Sequence, residues 1–281
     1  MKRRIIRQGA AFTCTLPIEW VRKNNLEAGH EIDVEHVDGR IILSTEKQKK
    51  PEKMQLDARK IGAVVERFIP ALYRAGYDEI EVNYEGSEML KRVQDVLERE
   101  LIGYEIVAQG KNSCTIKDIS GSDNRDFDVL LRRCFLLLLS NAQQLRDSVK
   151  TNDMKALDEI AHRDKSINKL SNLCERLLIK EGHWDIKRSA LLFHMIKELE
   201  NIADEYKYLA EHYLAGKKLD KEGTKLLQEV SNSVESVYNL FYNFNVEQAQ
   251  RVAEQMEMLK SKLTTYKGNP LIGYNLMSIA G

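Results

Sequence analysis

Arg3-Arg4-Ile5-Ile6-Arg7-Gln8-Gly9 is followed by Phe12-Thr13-Cys14-Thr15-Leu16-Pro17, by the segment Ile18 to Asn25, and by Leu26-Glu27-Ala28-Gly29. An alternating hairpin then runs from Glu31 to Glu35 and from Arg40 to Leu43 around Asp38-Gly39. The order is strand, strand, short helix, strand, strand. Pro17 opens the helix, where a missing N–H costs nothing. Such a unit of about forty-five residues is too small to bury a core alone. It calls for a partner.

The charge of this end points to the kind of surface it meets. Through Asn25 the basic residues are Lys2, Arg3, Arg4, Arg7, Arg22 and Lys23, opposed only by Glu19. The whole chain balances 43 Lys and Arg against 43 Asp and Glu. A cationic end on a neutral chain is the footprint of a module that binds the nucleic-acid backbone. A solvated basic start would look the same by charge alone.

The chain has 281 residues, 43% hydrophobic and 31% charged, which suits two or three helix-rich domains. Cys14, Cys114, Cys134 and Cys174 are far apart, so a zinc knuckle is not expected and a reducing cytosol is. The apolar run Val129 to Ser140 is short and broken by Arg132 and Arg133, so no membrane insertion is expected. The start lacks an apolar signal core. A cytoplasmic protein is expected.

The expected fold class is α+β, mainly α. A head over 1–46 leads into a charged linker over 47–54. A small α/β middle domain follows over 55–120, in the order α-β-α-β-β. It has a helix from Ala58 to Ala75, strands near Tyr77 to Asn83, Tyr104 to Ala108 and Cys114 to Ile119, and a helix N-capped by Ser87. From 125 to 267 the chain reads as an antiparallel helical bundle with helices near 125–151, 153–181, 185–215, 219–244 and 246–266. Residues 268–281 read as a tail. No nucleophile, base and oxyanion constellation stands out, so the chain is not expected to be an enzyme.

The sharpest candidate site in the bundle is the pair Glu200 and Asp204, four apart in Glu198-Leu199-Glu200-Asn201-Ile202-Ala203-Asp204. That spacing puts both carboxylates on one helix face, where they repel unless something cationic answers them. One answer is a hard divalent or trivalent metal such as Mg, Mn or Fe. The other is solvent, or Lys and Arg from a neighbouring helix. His162 is two residues before Asp164, a poor neighbour on a helix, and His194 is four from Glu198 on a different face from Glu200 and Asp204, so neither is taken as a ligand.

Two resemblances draw these readings together. Residues 3 to 44 resemble the SpoVT/AbrB swapped-hairpin family, through Thr13-Cys14-Thr15-Leu16 running into Pro17-Ile18-Glu19-Trp20-Val21-Arg22 and through Leu26-Glu27-Ala28-Gly29. Thr13, Val21 and His30 stand where that family often has Arg, Arg and Asp. The resemblance implies a swapped-hairpin β-barrel head, built by two chains, with Arg3, Arg4, Arg7, Arg22 and Lys23 on double-stranded DNA. The acidic helix resembles PhoU, the helical regulator of phosphate uptake. The second bundle helix adds Asp164-Lys165-Ser166-Ile167-Asn168, with Asn168 where an acid often lies. This resemblance implies a metal site on Glu200, Asp204 and Asp164. It also implies a partner such as a phosphate-transporter or signalling protein, and a second three-helix repeat whose last helix is missing. The expected function is a DNA-binding transcriptional regulator of phosphate uptake or metabolism, acting as a homodimer or higher homo-oligomer. The alternatives are a dimeric adaptor that does not bind DNA and a metal-binding protein.

Overall fold

The computed structural model describes residues 2–37, 40–45, 51–120, 127–183 and 185–281, with the side chains of 35, 37, 40, 44 and 161–164 set aside. The chain divides into two units, Met1–Lys50 and Pro51–Gly281.

In the first unit, β1 (Ile5–Gln8) and β2 (Ala11–Cys14) form an antiparallel hairpin. Gln8 faces Ala11 across the turn, and Gly9 takes the left-handed φ of 63° that the tight reversal requires. Pro17 is the N-cap of α1 (Ile18–Lys23) rather than its first residue. Its carbonyl accepts the first helical hydrogen bond, from Val21. The second hairpin is β3 (Asp33–Val37) with β4 (Arg40–Ser44). Its Asp38-Gly39 turn lies outside the described residues. The two hairpins are separate two-stranded sheets within one chain. Their apolar side chains remain in solvent: Ile5 is 71% exposed, Phe12 70% and Ile41 63%. One copy of the sequence therefore does not bury its own apolar positions.

The second unit opens earlier than the linker reading allowed. Within the stretch 47–54, residues 47–50 lie outside the described ones, but Lys53 already begins β5 (Lys53–Asp57). The charged run hides a two-residue period, in which Met54 and Leu56 turn inward between Lys53, Gln55 and Asp57. β5 pairs in parallel with β6 (Glu79–Asn83). The crossover is not the single helix expected. Gly62, at φ 54°, divides it into α2 (Ala58–Ile61) and, after a short 3₁₀ turn, α3 (Val65–Arg74). Pro70 is buried within α3. α4 (Ser87–Glu100) is N-capped by Gly86, not Ser87, because the chain enters it at φ 79°. β7 (Tyr104–Gln109) and β8 (Ser113–Asp118) complete a sheet in the order β5-β6-β8-β7.

The bundle follows: α5 (Phe127–Thr151), α6 (Met154–Lys180), α7 (Ser189–Leu214), α8 (Lys221–Tyr242) and α9 (Val246–Thr265). Short polar side chains stop the preceding turns and start the helices. Asp153, Asp220 and Asn245 accept from the backbone N–H groups of the first turns of α6, α8 and α9. Residues 268–281 are not a tail. They form α10 (Pro270–Ala280), capped by Asn269 and packed on α7, α8 and α9. Ile272, Leu276, Ile279 and Ala280 are buried.

The two cores of this unit meet on α6. Leu170 and Leu178 enter the bundle core, whereas Leu173 and Leu177 enter the core under the sheet. Between them Arg176, 3% exposed, donates to the carbonyls of Tyr73 and Tyr77 and pairs with Asp78 at 2.9 Å and Asp118 at 3.2 Å.

Candidate nucleic-acid interface and acidic helix pair

Arg3 and Arg4 precede β1, Arg7 lies on it, and Arg22 and Lys23 form the last turn of α1. All five are exposed. Arg7 Nε donates to the Gly9 carbonyl at 3.3 Å, which draws its stem over the turn. Among the described residues, none of the five is paired with a carboxylate within the chain, so their charge is available to an outside anion. Strand alternation puts Ile5 and Arg7 on one face of the hairpin. That face therefore carries both an apolar position and a cation. Three residues, Thr15 to Pro17, join β2 to α1, so the cationic strand and the cationic helix end belong to one short segment.

The acidic pair has a different setting. Glu200 and Asp204 lie on α7, both partly buried. Lys197 Nζ is 2.6 Å from Glu200 Oε2, and Lys207 Nζ is 3.4 Å from Asp204 Oδ1. The cations that answer the repulsion thus come from the same helix, three residues away on either side. Asp164 lies on α6, and its side chain is outside the described residues. His194 is exposed beside Glu198, away from the pair. Among the described residues, no group of three or more His, Cys, Asp and Glu is placed to hold a metal ion.

A residue that the sequence reading passed over lies next to Glu200. Glu175 on α6 is 1% exposed. Its Oε2 is 3.3 Å from Arg74 Nε on α3, and its Oε1 is 3.8 Å from Lys197 Nζ. Burial pushes the Glu175 carboxyl above its ordinary range, Lys197 and Arg74 pull it down, and Glu200 pushes it up. The signal was present in the run Leu173-Cys174-Glu175-Arg176-Leu177, where two charges interrupt apolar residues.

Both regions fall within segments that match known families. The family described as PhoU domain matches residues 131–212. The chain carries a PhoU domain. The match takes in most of α5, all of α6 and most of α7, and so contains Glu175, Glu200 and Asp204. The family described as Antidote-toxin recognition MazE, bacterial antitoxin, matches residues 5–53, both hairpins and α1 included. A search of curated proteins and a search of solved structures give no match. Both matched families are non-catalytic. A MazE-type head joined to a PhoU domain fits a phosphate-related regulator with DNA binding. Among the described residues, no helix is long and apolar enough to cross a membrane.

Proposed function

We propose that the protein is a transcriptional regulator of phosphate uptake or metabolism. Two heads pair and hold double-stranded DNA, and the PhoU domain receives the signal. The observation that supports this reading is the combination on one segment of unpaired cations and uncovered apolar positions. Arg3, Arg4, Arg7, Arg22 and Lys23 have no carboxylate partner within the chain among the described residues, and Ile5, Phe12 and Ile41 stand in solvent. Pairing of two heads covers the apolar positions and doubles the cationic set. Each Lys or Arg that reaches a phosphate releases a condensed counterion, so affinity depends steeply on salt. Phosphate contacts fix the register of a protein on the duplex, and base contacts select the sequence. The sensing role rests on the PhoU domain, whose partner is taken to be a phosphate-transporter or signalling protein.

The test is a salt series of the full-length protein on a pool of genomic and random duplexes. Enriched sequences, with affinity falling steeply as salt rises, are expected. Arg4→Ala, Arg7→Ala and Arg22→Ala together should abolish most of the binding. Where binding remains measurable, the slope of log affinity on log salt should flatten by about 0.9 for each phosphate that is no longer neutralised. A wild-type protein that stays dimeric yet binds no duplex at low salt would overturn the regulator reading and favour the adaptor.

A further inference from the structure

The resemblance to PhoU brings with it a metal on the acidic helices, and the residues around Glu200 do not suit one. We infer that Lys197 is the built-in cation of this PhoU domain, taking the neutralising role of a metal and tying α6 to α7 through Glu175 and Glu200.

The charges argue for it. Three carboxylates, Glu175, Glu200 and Asp204, are each within ion-pair distance of a cation, drawn from Arg74, Lys197 and Lys207. Among the described side chains of this set, three cations face three carboxylates. Lys197 is the member shared by two carboxylates, one on each helix. Its ammonium is 2.6 Å from Glu200 and 3.8 Å from Glu175. Among the described residues Glu175 Oε1 makes no hydrogen bond, and the Lys197 ammonium is within ion-pair distance of it. A hard dication needs several oxygen ligands of its own. Here it would displace a lysine from its shortest partner and then sit beside the same ammonium, a like charge in a partly buried setting. Arg74 extends the link to α3, so the ion-paired set joins the bundle to the sheet domain.

The chemistry gives a test that reads metal directly. The full-length protein, dialysed against metal-free buffer, is expected to hold substoichiometric metal by mass spectrometry. Its melting midpoint should not move with EDTA or with added Mn²⁺, Mg²⁺ or Fe³⁺. Lys197→Met removes the cation and leaves Glu175 and Glu200 facing each other. It should melt lower, and added Mn²⁺ should raise it toward wild type. Lys197→Arg should behave as wild type. Should Lys197→Met not fold, Lys197→Met with Glu200→Gln decides, since it removes one charge of each sign. A folded double variant indifferent to metal supports the inference, and one that folds only with metal overturns it. Stoichiometric metal in the wild-type protein that Glu175→Gln or Glu200→Gln removes would also overturn it. So would a wild-type midpoint that falls on adding EDTA, or a Lys197→Met midpoint equal to wild type. None of these outcomes depends on whether the head binds DNA.

Discussion

Arg176 shows how much one side chain holds together. Its guanidinium lies over the rings of Tyr73 at 4.9 Å and Tyr104 at 5.2 Å, while its nitrogens reach two backbone carbonyls and two carboxylates. Asp78 is answered again by Lys180 and by the backbone N–H of Glu52. Burial pushes the Asp78 carboxyl up, and these donors more than offset it, leaving it below its ordinary range. Replacing Arg176 by Leu keeps the volume roughly filled but strands two carbonyls and part of the charge on Asp78 and Asp118. Removing one partner of a buried, hydrogen-bonded ion set costs about 3–5 kcal/mol. A urea titration of Arg176→Leu should show that loss, and an unchanged midpoint would mean the network is decorative. Arg176 and Glu175 left a trace in the sequence, two charges inside an apolar run, but not the position of the groups they meet. Their sequence neighbours read as one leucine seam, and a single periodicity carries no sign that a helix has apolar neighbours on two sides. Glu200 and Asp204 were legible because their spacing is a local property. The lysines that answer them lie on the same helix, a source not weighed beside a metal, solvent and a neighbouring helix.

At the scale of the element, the helices with capped starts and two-faced patterns were readable, and those without were not. Asp153, Asp220 and Asn245 each precede a long amphipathic run. α10 lacks a polar face: Leu271, Ile272, Leu276, Met277 and Ile279 spread around it, and Gly273 interrupts it. Its helical state depends on the groove that receives it, between α7, α8 and α9. Asn275 Nδ2 donates to Glu205 Oε2 at 2.5 Å, fixing its rotation against α7. Leu276, fully buried, should cost about 2–5 kcal/mol when cut to Ala, measured by chemical denaturation. Loss of under half a kilocalorie would show that α10 does not belong to the core. β5 was missed for the opposite reason. Its strand pattern is real, but the alternating partners are Lys, Gln and Asp beside a lysine-rich run, so the charge masks the period. Gly62 broke the expected helix because the backbone there turns to positive φ, which no periodicity records.

At the scale of the whole molecule, the head differs from the remainder in having no buried apolar side chain among its described residues. Residues 51–281 hold two buried cores, whereas the head leaves Ile5, Phe12 and Ile41 in water. Uncovered apolar clusters of this kind mark an interface. Light scattering of the full-length chain should therefore give a dimer or larger closed assembly. Phe12→Ser with Ile41→Ser should shift it to monomer while leaving the melting of the helical part unchanged. A wild-type monomer at micromolar concentration would refute the pairing. The order of elements in the head was legible from turns and alternation alone. The identity of the surface that completes it was not, because no residue in one copy records the other.

The shared helix α6 carries a mechanical consequence. A shaft that bears gears on both sides cannot turn for one of them only. Leu170 and Leu178 mesh with the bundle while Leu173 and Leu177 mesh with the layer beneath the sheet, so any roll of α6 about its own axis is felt at once by both.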